Sequence, residues 1–155
     1  MIGTPHTYAE WVNVLETLKA KSSDDEVLVA MKQGTIEWQS GVAERFSKKL
    51  ADAVNSRMNA ASDKFQRSLD RSNGEERVIV QSLLALRKEL NFLLQVIDFP
   101  ALPDEYRLQY RKLVLEQADQ AQSSLEESAK RDRSGKLSSI VRNHRVNKFE
   151  KEVSA

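Results

Sequence analysis

The sequence predicts an all-α protein: an antiparallel bundle of three long helices, flanked by short helices at its N- and C-terminal ends. Two observations carry this prediction. Six apolar residues between positions 79 and 97 recur at spacings of three and four, the heptad pattern of a helix packed against another helix. They are Ile79, Leu83, Leu86, Leu90, Leu93 and Ile97. The chain also has only 5 Gly and 3 Pro among its 155 residues, which leaves few positions for loops.

Length and composition limit the class of protein further. A chain of 155 residues fits one domain, for which we expect residues 1–149, with a frayed tail at 150–155. The absence of cysteine excludes disulfides, thiol catalysis and thiolate metal sites, and it agrees with a cytoplasmic location. The most apolar region, residues 78–96, contains several charged residues, so no membrane span is expected.

Two short helices are expected before the first long one. Thr7 and Glu10 have the spacing of a capping box, which predicts a helix over residues 8–20. Ser23 and Glu26 have the same spacing and predict a second helix over 24–33. Gly34 is open to two interpretations. It ends that helix, or the helix continues through it at a cost of about 1 kcal/mol.

The first long helix is predicted over residues 35–71, where apolar residues recur mostly every four positions. Gly41 lies inside this range, and we expect it to allow close packing of another backbone. At ~1.5 Å per residue the helix would span about 55 Å, against about 36 Å for the next helix at 75–98. The longer helix should therefore extend past its neighbour near Trp38, where helix 8–20 or a second copy of the chain would cover it.

The central helix, residues 75–98, carries the heptad residues and further apolar residues beside them, which indicates neighbours on more than one side. The extra apolar residues are Val80, Leu84, Leu94 and Val96. The turn at Ser72-Asn73-Gly74 makes the first two long helices antiparallel neighbours. The third long helix is predicted over 104–130, after a bend with Pro100 and Pro103. A last short helix follows a polar break at 131–135.

Nothing in the sequence matches a known catalytic arrangement. The two histidines, His6 and His144, lack the upstream glutamate of a di-iron bundle site. No serine lies in a Gly-x-Ser-x-Gly motif, and no glycine-rich phosphate loop is present. We therefore predict a non-enzyme without metal, cofactor or small-molecule substrate.

The basic segment, residues 130–148, is the first candidate for partner binding. Residues 130–149 hold seven Lys or Arg and one acidic residue, a net charge of +6, whereas residues 1–129 sum to −4. These cations could contact nucleic-acid phosphates, an acidic protein or the acidic part of a second copy, or they could simply favour the end of a helix. The residues are Lys130, Arg131, Arg133, Lys136, Arg142, Arg145 and Lys148.

The second candidate is the bend around Pro100 and Pro103, which we call the elbow. Aromatic residues and arginines, the types most common in binding hot spots, gather there. They are Phe99, Tyr106, Arg107, Tyr110 and Arg111. The alternative is that the aromatic rings only fill the core at the end of the bundle, which is the more frequent position for such residues.

These observations favour one function over a second. The first is a non-catalytic interaction module, such as an adaptor, regulator or assembly factor, that binds another protein or a second copy of itself through helix surfaces. The alternative is a nucleic-acid-binding regulator that uses residues 130–148. An enzyme is a third and much weaker interpretation.

Overall fold

The structure, a computed structural model, describes residues 3–37, 41–72, 75–131 and 135–143. This part of the chain forms α-helices joined by short connections and has no strands. The helices are α1 (Tyr8–Ala20), α2 (Asp24–Gln33), α3 (Val42–Arg71), α4 (Glu76–Ile97), α5 (Asp104–Arg131) and α6 (Lys136–Asn143). The predicted all-α bundle of three long helices with short terminal helices is therefore confirmed. No helix within the described ranges has both the length and the apolar character to cross a membrane.

The chain divides into two compact units. Unit 1 comprises Met1–Arg57 and Leu93–Arg111, and so contains α1, α2, the first part of α3, the end of α4 and the start of α5. Unit 2 comprises Met58–Phe92 and Lys112–Ala155, which hold the remaining parts of the three long helices and α6. A single domain over 1–149 stays a prediction, and the expected tail at 150–155 lies outside the described residues.

Helix α1 begins as its sequence predicts. The Glu10 backbone N–H donates to the Thr7 hydroxyl at 3.2 Å, while the Glu10 carboxylate accepts from the Thr7 backbone N–H at 3.1 Å. These two bonds form the capping box and satisfy donors that a helix N-terminus otherwise leaves open. The second predicted box is wrong, because the Ser23 side chain makes no capping hydrogen bond, although α2 does begin at Asp24.

Gly34 ends α2, and the alternative of a helix that continues through it is wrong. The extended backbone of Gly34, with φ −70° and ψ 154°, stops the helix there, and the surrounding atoms also leave no room for a side chain. A Cβ atom at Gly34 would lie 2.5 Å from the Trp11 ring and 2.7 Å from the Ala30 carbonyl oxygen. Since real Cβ atoms do not approach other heavy atoms so closely, this position admits glycine alone without rearrangement.

The first long helix begins at Val42 and not at residue 35, so the predicted start is wrong. Residues 34–37 are not helical, and Trp38 lies outside the described residues. The Thr35 N–H donates to the Pro5 carbonyl at 3.0 Å, and the Thr35 carbonyl accepts from the Trp11 indole N–H at 2.9 Å. These bonds tie the backbone of Thr35 to the N-terminal segment and to α1.

Two other expectations for α3 change with its start. Gly41 precedes the helix with φ +82°, and no atom lies within 4 Å of where its Cβ would be, so its role is a left-handed turn and the predicted packing role is wrong. With 30 residues, α3 spans about 45 Å, against about 33 Å for α4. Helix α1 does pack along the first part of α3: Trp11 contacts Phe46, and Lys19 pairs with Asp52 at 2.7 Å.

The heptad residues of α4 are all buried, as predicted. The apolar residues beside them differ between the two units. In unit 1, Leu94 and Val96 are fully buried, so α4 is enclosed on more than one side there. In unit 2, Leu84 is 47% exposed, so the expectation of a second neighbour is wrong at that residue.

Helices α5 and α6 lie where the sequence predicts them. The buried residues of α5 are Tyr110, Val114, Ala118, Ala121, Gln122, Leu125 and Ala129. In α6, Ile140 is buried, so this helix contributes to the core of unit 2. The predicted turn residues Asn73 and Gly74 lie outside the described residues. The residues that flank them are hydrogen-bonded to each other, since the Glu75 N–H donates to the Ser72 carbonyl at 2.9 Å.

Candidate interaction surface at the elbow

The elbow is fixed from beneath by a cluster of three aromatic rings in unit 1. The ring centroids of Trp11 and Phe99 are 5.3 Å apart, those of Trp11 and Phe46 are 5.6 Å apart, and those of Phe46 and Phe99 are 5.8 Å apart. Such distances and tilted orientations are favourable for aromatic pairs. Because Phe99 is the second residue after the end of α4, this cluster holds the start of the elbow in the core.

Tyr110 fixes the other side of the elbow from α5. Its hydroxyl donates to the Ser47 backbone carbonyl at 2.7 Å, and the Ser47 hydroxyl also lies within hydrogen-bond distance. Burial raises the pKa of the Tyr110 phenol, while the hydrogen bond with Ser47 opposes that shift. Tyr110 therefore stays neutral and anchors α5 to α3 within unit 1.

Phe99 and Tyr110 are thus core residues, each at most 2% exposed. Their predicted place in a partner-binding surface is corrected in one respect: they can support such a surface from below but cannot form it. Tyr106 is half-buried, and Arg107 and Arg111 keep part of their side chains at the surface. The elbow aromatics therefore follow mainly the core interpretation, and the two arginines are the predicted elbow residues that, with Tyr106, reach the surface.

A cleft of about 390 Å³ lies between the end of α4 and the start of α5. On the α4 side it is lined by Leu94, Ile97 and Asp98. On the α5 side it is lined by Asp104, Arg107, Leu108 and Arg111. All of these residues belong to unit 1. We call the outer residues, Asp98, Asp104, Arg107, Leu108 and Arg111, the elbow surface.

Leu108 is the distinctive residue of the elbow surface. It is 69% exposed, and among the residues whose burial the structure describes, the other large apolar side chains that are exposed, Val29 and Leu84, are less so. Leu108 is not among the predicted site residues, because it does not belong to the apolar stripe of α5. The sequence does contain a pattern that could have indicated it. Spacings of four and three place Leu108 on one helix face with Asp104 and Arg111, away from the core.

The charges of the elbow surface are arranged around Arg107. Its guanidinium lies 3.7 Å from the Asp98 carboxylate and donates a hydrogen bond to the Asp104 carboxylate. The two acids remain open to solvent, since the side chains of Asp98 and Asp104 are 67% and 81% exposed. A carboxylate has about four acceptor positions, so each acid can accept a second cation. The surface thus combines an apolar centre with charges of both signs.

The basic segment is described only in part. Lys130, Arg131 and Arg142 are exposed, and Lys130 lies 3.5 Å from the Glu127 carboxylate. Lys136 is in α6, and nothing further is described of its side chain. Arg133, Arg145 and Lys148 lie outside the described residues. The three exposed cations are consistent with contact to a partner but do not define its chemistry.

Two other polar features lie in the N-terminal part of unit 1. A groove of about 680 Å³ in unit 1 is lined by residues that include Glu10, Glu16 and Glu26. Glu10 serves the capping box, and the hydrogen bonds that it accepts from the His6 and Thr7 backbone lower the pKa of its carboxyl. His6 lies 2.7 Å from the Thr35 hydroxyl. Within the described ranges, no three His, Asp or Glu residues are grouped as a metal site would require.

Comparison with known proteins assigns no family to this arrangement. No protein-family model, curated protein or solved structure has significant similarity to the chain.

Proposed function

We propose that the protein is a non-catalytic helical interaction module that binds a protein partner through the elbow surface. The observation that carries this proposal is the exposure of Leu108 beside a cleft in a helical scaffold. Burying a leucine side chain is worth roughly 1.5–3 kcal/mol, so a protein partner that covers Leu108 gains affinity from this one contact.

The side chains around Leu108 support a binding role. Arginine is enriched in binding hot spots, and its aliphatic stem adds apolar area while its guanidinium forms ion pairs. Arg107 and Arg111 stand on either side of Leu108 in the sequence of α5, and both line the cleft. Two Asp and two Arg around one apolar centre suit recognition by ion pairing, in which the charges select the partner and its orientation.

Rigidity beneath the surface also favours binding. Phe99 is held among aromatic rings, and Tyr110 is held by Ser47, so the backbone that carries Leu108 is fixed on both sides. A surface that is already ordered loses less conformational entropy on binding.

A photo-crosslinking experiment tests this proposal. A benzophenone amino acid is placed at Leu108 in the full chain, in cells that naturally express it, and the matched control carries the same group at Leu84. Leu84 is also an exposed leucine but lies on α4 in unit 2. We expect protein adducts at position 108 in clear excess over position 84. Equal, sparse labelling at both positions would contradict the proposal.

A second candidate function rests on the basic segment. Lys130, Arg131 and Arg142 are exposed in a region that carries a net charge of +6. Cations of this kind can neutralise nucleic-acid phosphates, and the affinity then falls steeply with salt. Under this alternative, the protein is a nucleic-acid-binding regulator that uses residues 130–148.

Truncation after Ala129 tests the alternative. Fluorescence anisotropy with labelled duplex DNA and with single-stranded RNA is measured for the full and the truncated chain from low to physiological salt. The alternative expects salt-sensitive binding by the full chain and its loss in the truncated chain. It is rejected if the full chain shows no binding even at low salt.

A further inference from the structure

We infer that the occupant of the elbow surface is the elbow surface of a second copy of this chain, related to the first by a two-fold axis. This inference rests on the proposed function and names its partner. A two-fold interface uses the same surface on both copies, so the surface must be complementary to itself. The shape and the charges of the elbow surface both meet this requirement.

The shape offers a protrusion and a recess on one surface. Leu108 projects with 69% exposure, and beside it lies the cleft of about 390 Å³ over a floor of Leu94 and Ile97. The floor residues are almost fully buried, so the accessible lining consists of Leu108, the two aspartates and the two arginines, and the arginine stems are the apolar part of it beside Leu108. Leucine of one copy can therefore enter the cleft of the other and pack against the arginine stems, and the reverse contact follows by symmetry.

The order of the charges along α5 specifies how the two helices meet. If the two-fold axis is perpendicular to α5, the two α5 helices run antiparallel, and each residue faces the one equally far on the other side of the axis. If the axis passes between positions 107 and 108, Leu108 faces the Arg107 stem of the other copy. Asp104 and Arg111 are equally distant from the same point, so each Asp104 faces an Arg111 of the other copy. One register thus pairs the apolar and the charged residues together.

The two kinds of contact have different consequences. Ion pairs between exposed side chains contribute little affinity, and they weaken as salt screens them. They still disfavour other registers, since a shift along α5 would bring like charges together. The affinity is expected to come mainly from the two Leu108 contacts, and the register from the Asp104 and Arg111 pairs.

Sedimentation equilibrium of the full chain gives the first test. We expect a monomer–dimer equilibrium between 17.6 kDa and twice that mass. Leu108→Asp should raise the dimer Kd by at least ~100-fold, because both copies lose their leucine contact. The matched control, Leu84→Asp, changes another exposed leucine and should leave the Kd unchanged. A wild-type chain that stays monomeric at millimolar concentration, or a dimer that L108D leaves intact, overturns the inference.

Charge exchange tests the register. Asp104→Arg and Arg111→Asp should each raise the dimer Kd at low salt, and the double variant should recover most of the loss, because each pair is then restored with its signs reversed. Failure of the double variant to recover while its circular dichroism remains native overturns the proposed register.

Crosslinking provides a measurement that does not depend on a disruptive charge. The chain has no cysteine, so Leu108→Cys and the control Leu84→Cys each introduce a single thiol. A short bismaleimide should link L108C into a covalent dimer quickly and L84C hardly at all. Equal rates overturn the inference. If L108C does not dimerise but the benzophenone at 108 captures a different protein, the self-pairing inference fails while the interaction-module proposal stands.

Discussion

The two units of this protein are stabilised by different kinds of contact. In unit 1, an aromatic cluster is joined to specific polar bonds between elements distant in sequence. Trp11 donates to Thr35, Tyr110 donates to Ser47, and the buried Arg57 holds Asp24. In unit 2, the buried side chains are largely aliphatic and small, among them the alanines of α5 and four of the six α4 heptad residues, Ile79, Leu83, Leu86 and Leu90.

Arg57 shows how specific unit 1 is. This residue is only 2% exposed, and its guanidinium donates to both oxygens of Asp24, at 2.8 and 3.0 Å, and to the Leu18 carbonyl at 3.2 Å. One side chain of α3 therefore fastens the end of α1 and the start of α2. Burial of a guanidinium is costly unless its donors are satisfied, so this arrangement depends on each of those contacts.

Unit 2 is stabilised by less specific contacts than unit 1. Its core depends on burial of the α4 heptad residues of this unit, which we call the seam. Any apolar side chain of similar size stabilises such a core nearly as well. A seam of this kind tolerates conservative exchange but not a charge. Unit 1 should instead respond to subtle changes, such as one added methyl group or one lost hydrogen bond.

The largest loss of stability is expected from a charge placed in the seam of unit 2. Leu86→Asp places a carboxylate where the wild-type side chain is 3% exposed, and it should destabilise the fold by more than about 4 kcal/mol or leave a molten state. Urea unfolding followed by far-UV circular dichroism measures this change. Leu90→Asp, at another fully buried seam position, should behave in the same way.

The control for this experiment lies two residues away on the same helix. Leu84→Asp changes a leucine that is 47% exposed and should alter the free energy of unfolding by less than about 1 kcal/mol. Similar unfolding midpoints for L86D and L84D would mean that the seam is misplaced and that the contrast between the units is wrong.

A smaller effect is expected from one methyl group in unit 1. Gly34→Ala should cost about 2–3 kcal/mol, because the new Cβ would overlap the Trp11 ring and the Ala30 carbonyl. The backbone at Gly34, with φ −70° and ψ 154°, suits alanine, so the cost arises from the overlap alone. Gly3→Ala, where no atom lies within 4 Å, is the control and should be neutral in thermal unfolding. A neutral Gly34→Ala would show that unit 1 adapts as readily as unit 2.

The smallest effect concerns Asp24 and varies with pH. Asp24→Asn weakens the hydrogen bonds to Arg57 and should cost about 2 kcal/mol at neutral pH, since bonds to charged groups contribute 1.5–3 kcal/mol. The control is Asp25→Asn at the next position, an exposed acid in the same first turn. Equilibrium urea unfolding at several pH values measures both variants.

The direction of the pH dependence follows from the pKa of Asp24. Its hydrogen bonds with Arg57 lower the pKa of the folded carboxyl below its ordinary value of 3.8. Its stabilising contribution is therefore fully present well above pH 3.8 and is lost as the pH falls through the lower pKa of the folded state. The difference between wild type and D24N should shrink over that acidic range. A difference that stays constant down to pH 2 would contradict the role of the ion pair.

Much of the secondary structure could be read from local sequence patterns. The expected bounds of α1, α2, α4 and α5 agree with the structure to within one residue at each end, because capping residues and apolar periodicity act over a few neighbouring positions. The start of α3 could not be found in this way. The apolar pattern continues back to residue 36, but Thr35 is engaged by Pro5 and Trp11, which are about 30 and 24 positions away.

The elbow surface could likewise be predicted only in part from local sequence patterns. The elbow and its arginines could be predicted from the sequence. The same prediction wrongly placed Phe99 and Tyr110 at the surface and did not include Leu108. A ring is buried or exposed according to which helix lies against it, and that depends on Phe46, Trp11 and Ser47, far away in the sequence.

The sequence by itself determined that this chain is helical, where most helices begin and end, and which edge of α4 is buried, because all of these follow from interactions between near neighbours. Only the tertiary structure decided that Leu94 is enclosed while Leu84 is exposed, that Gly34 must lack a side chain, and that Leu108 is exposed beside a cleft. These outcomes depend on the distance to atoms of other elements, and a periodic pattern along one helix carries no information about that distance.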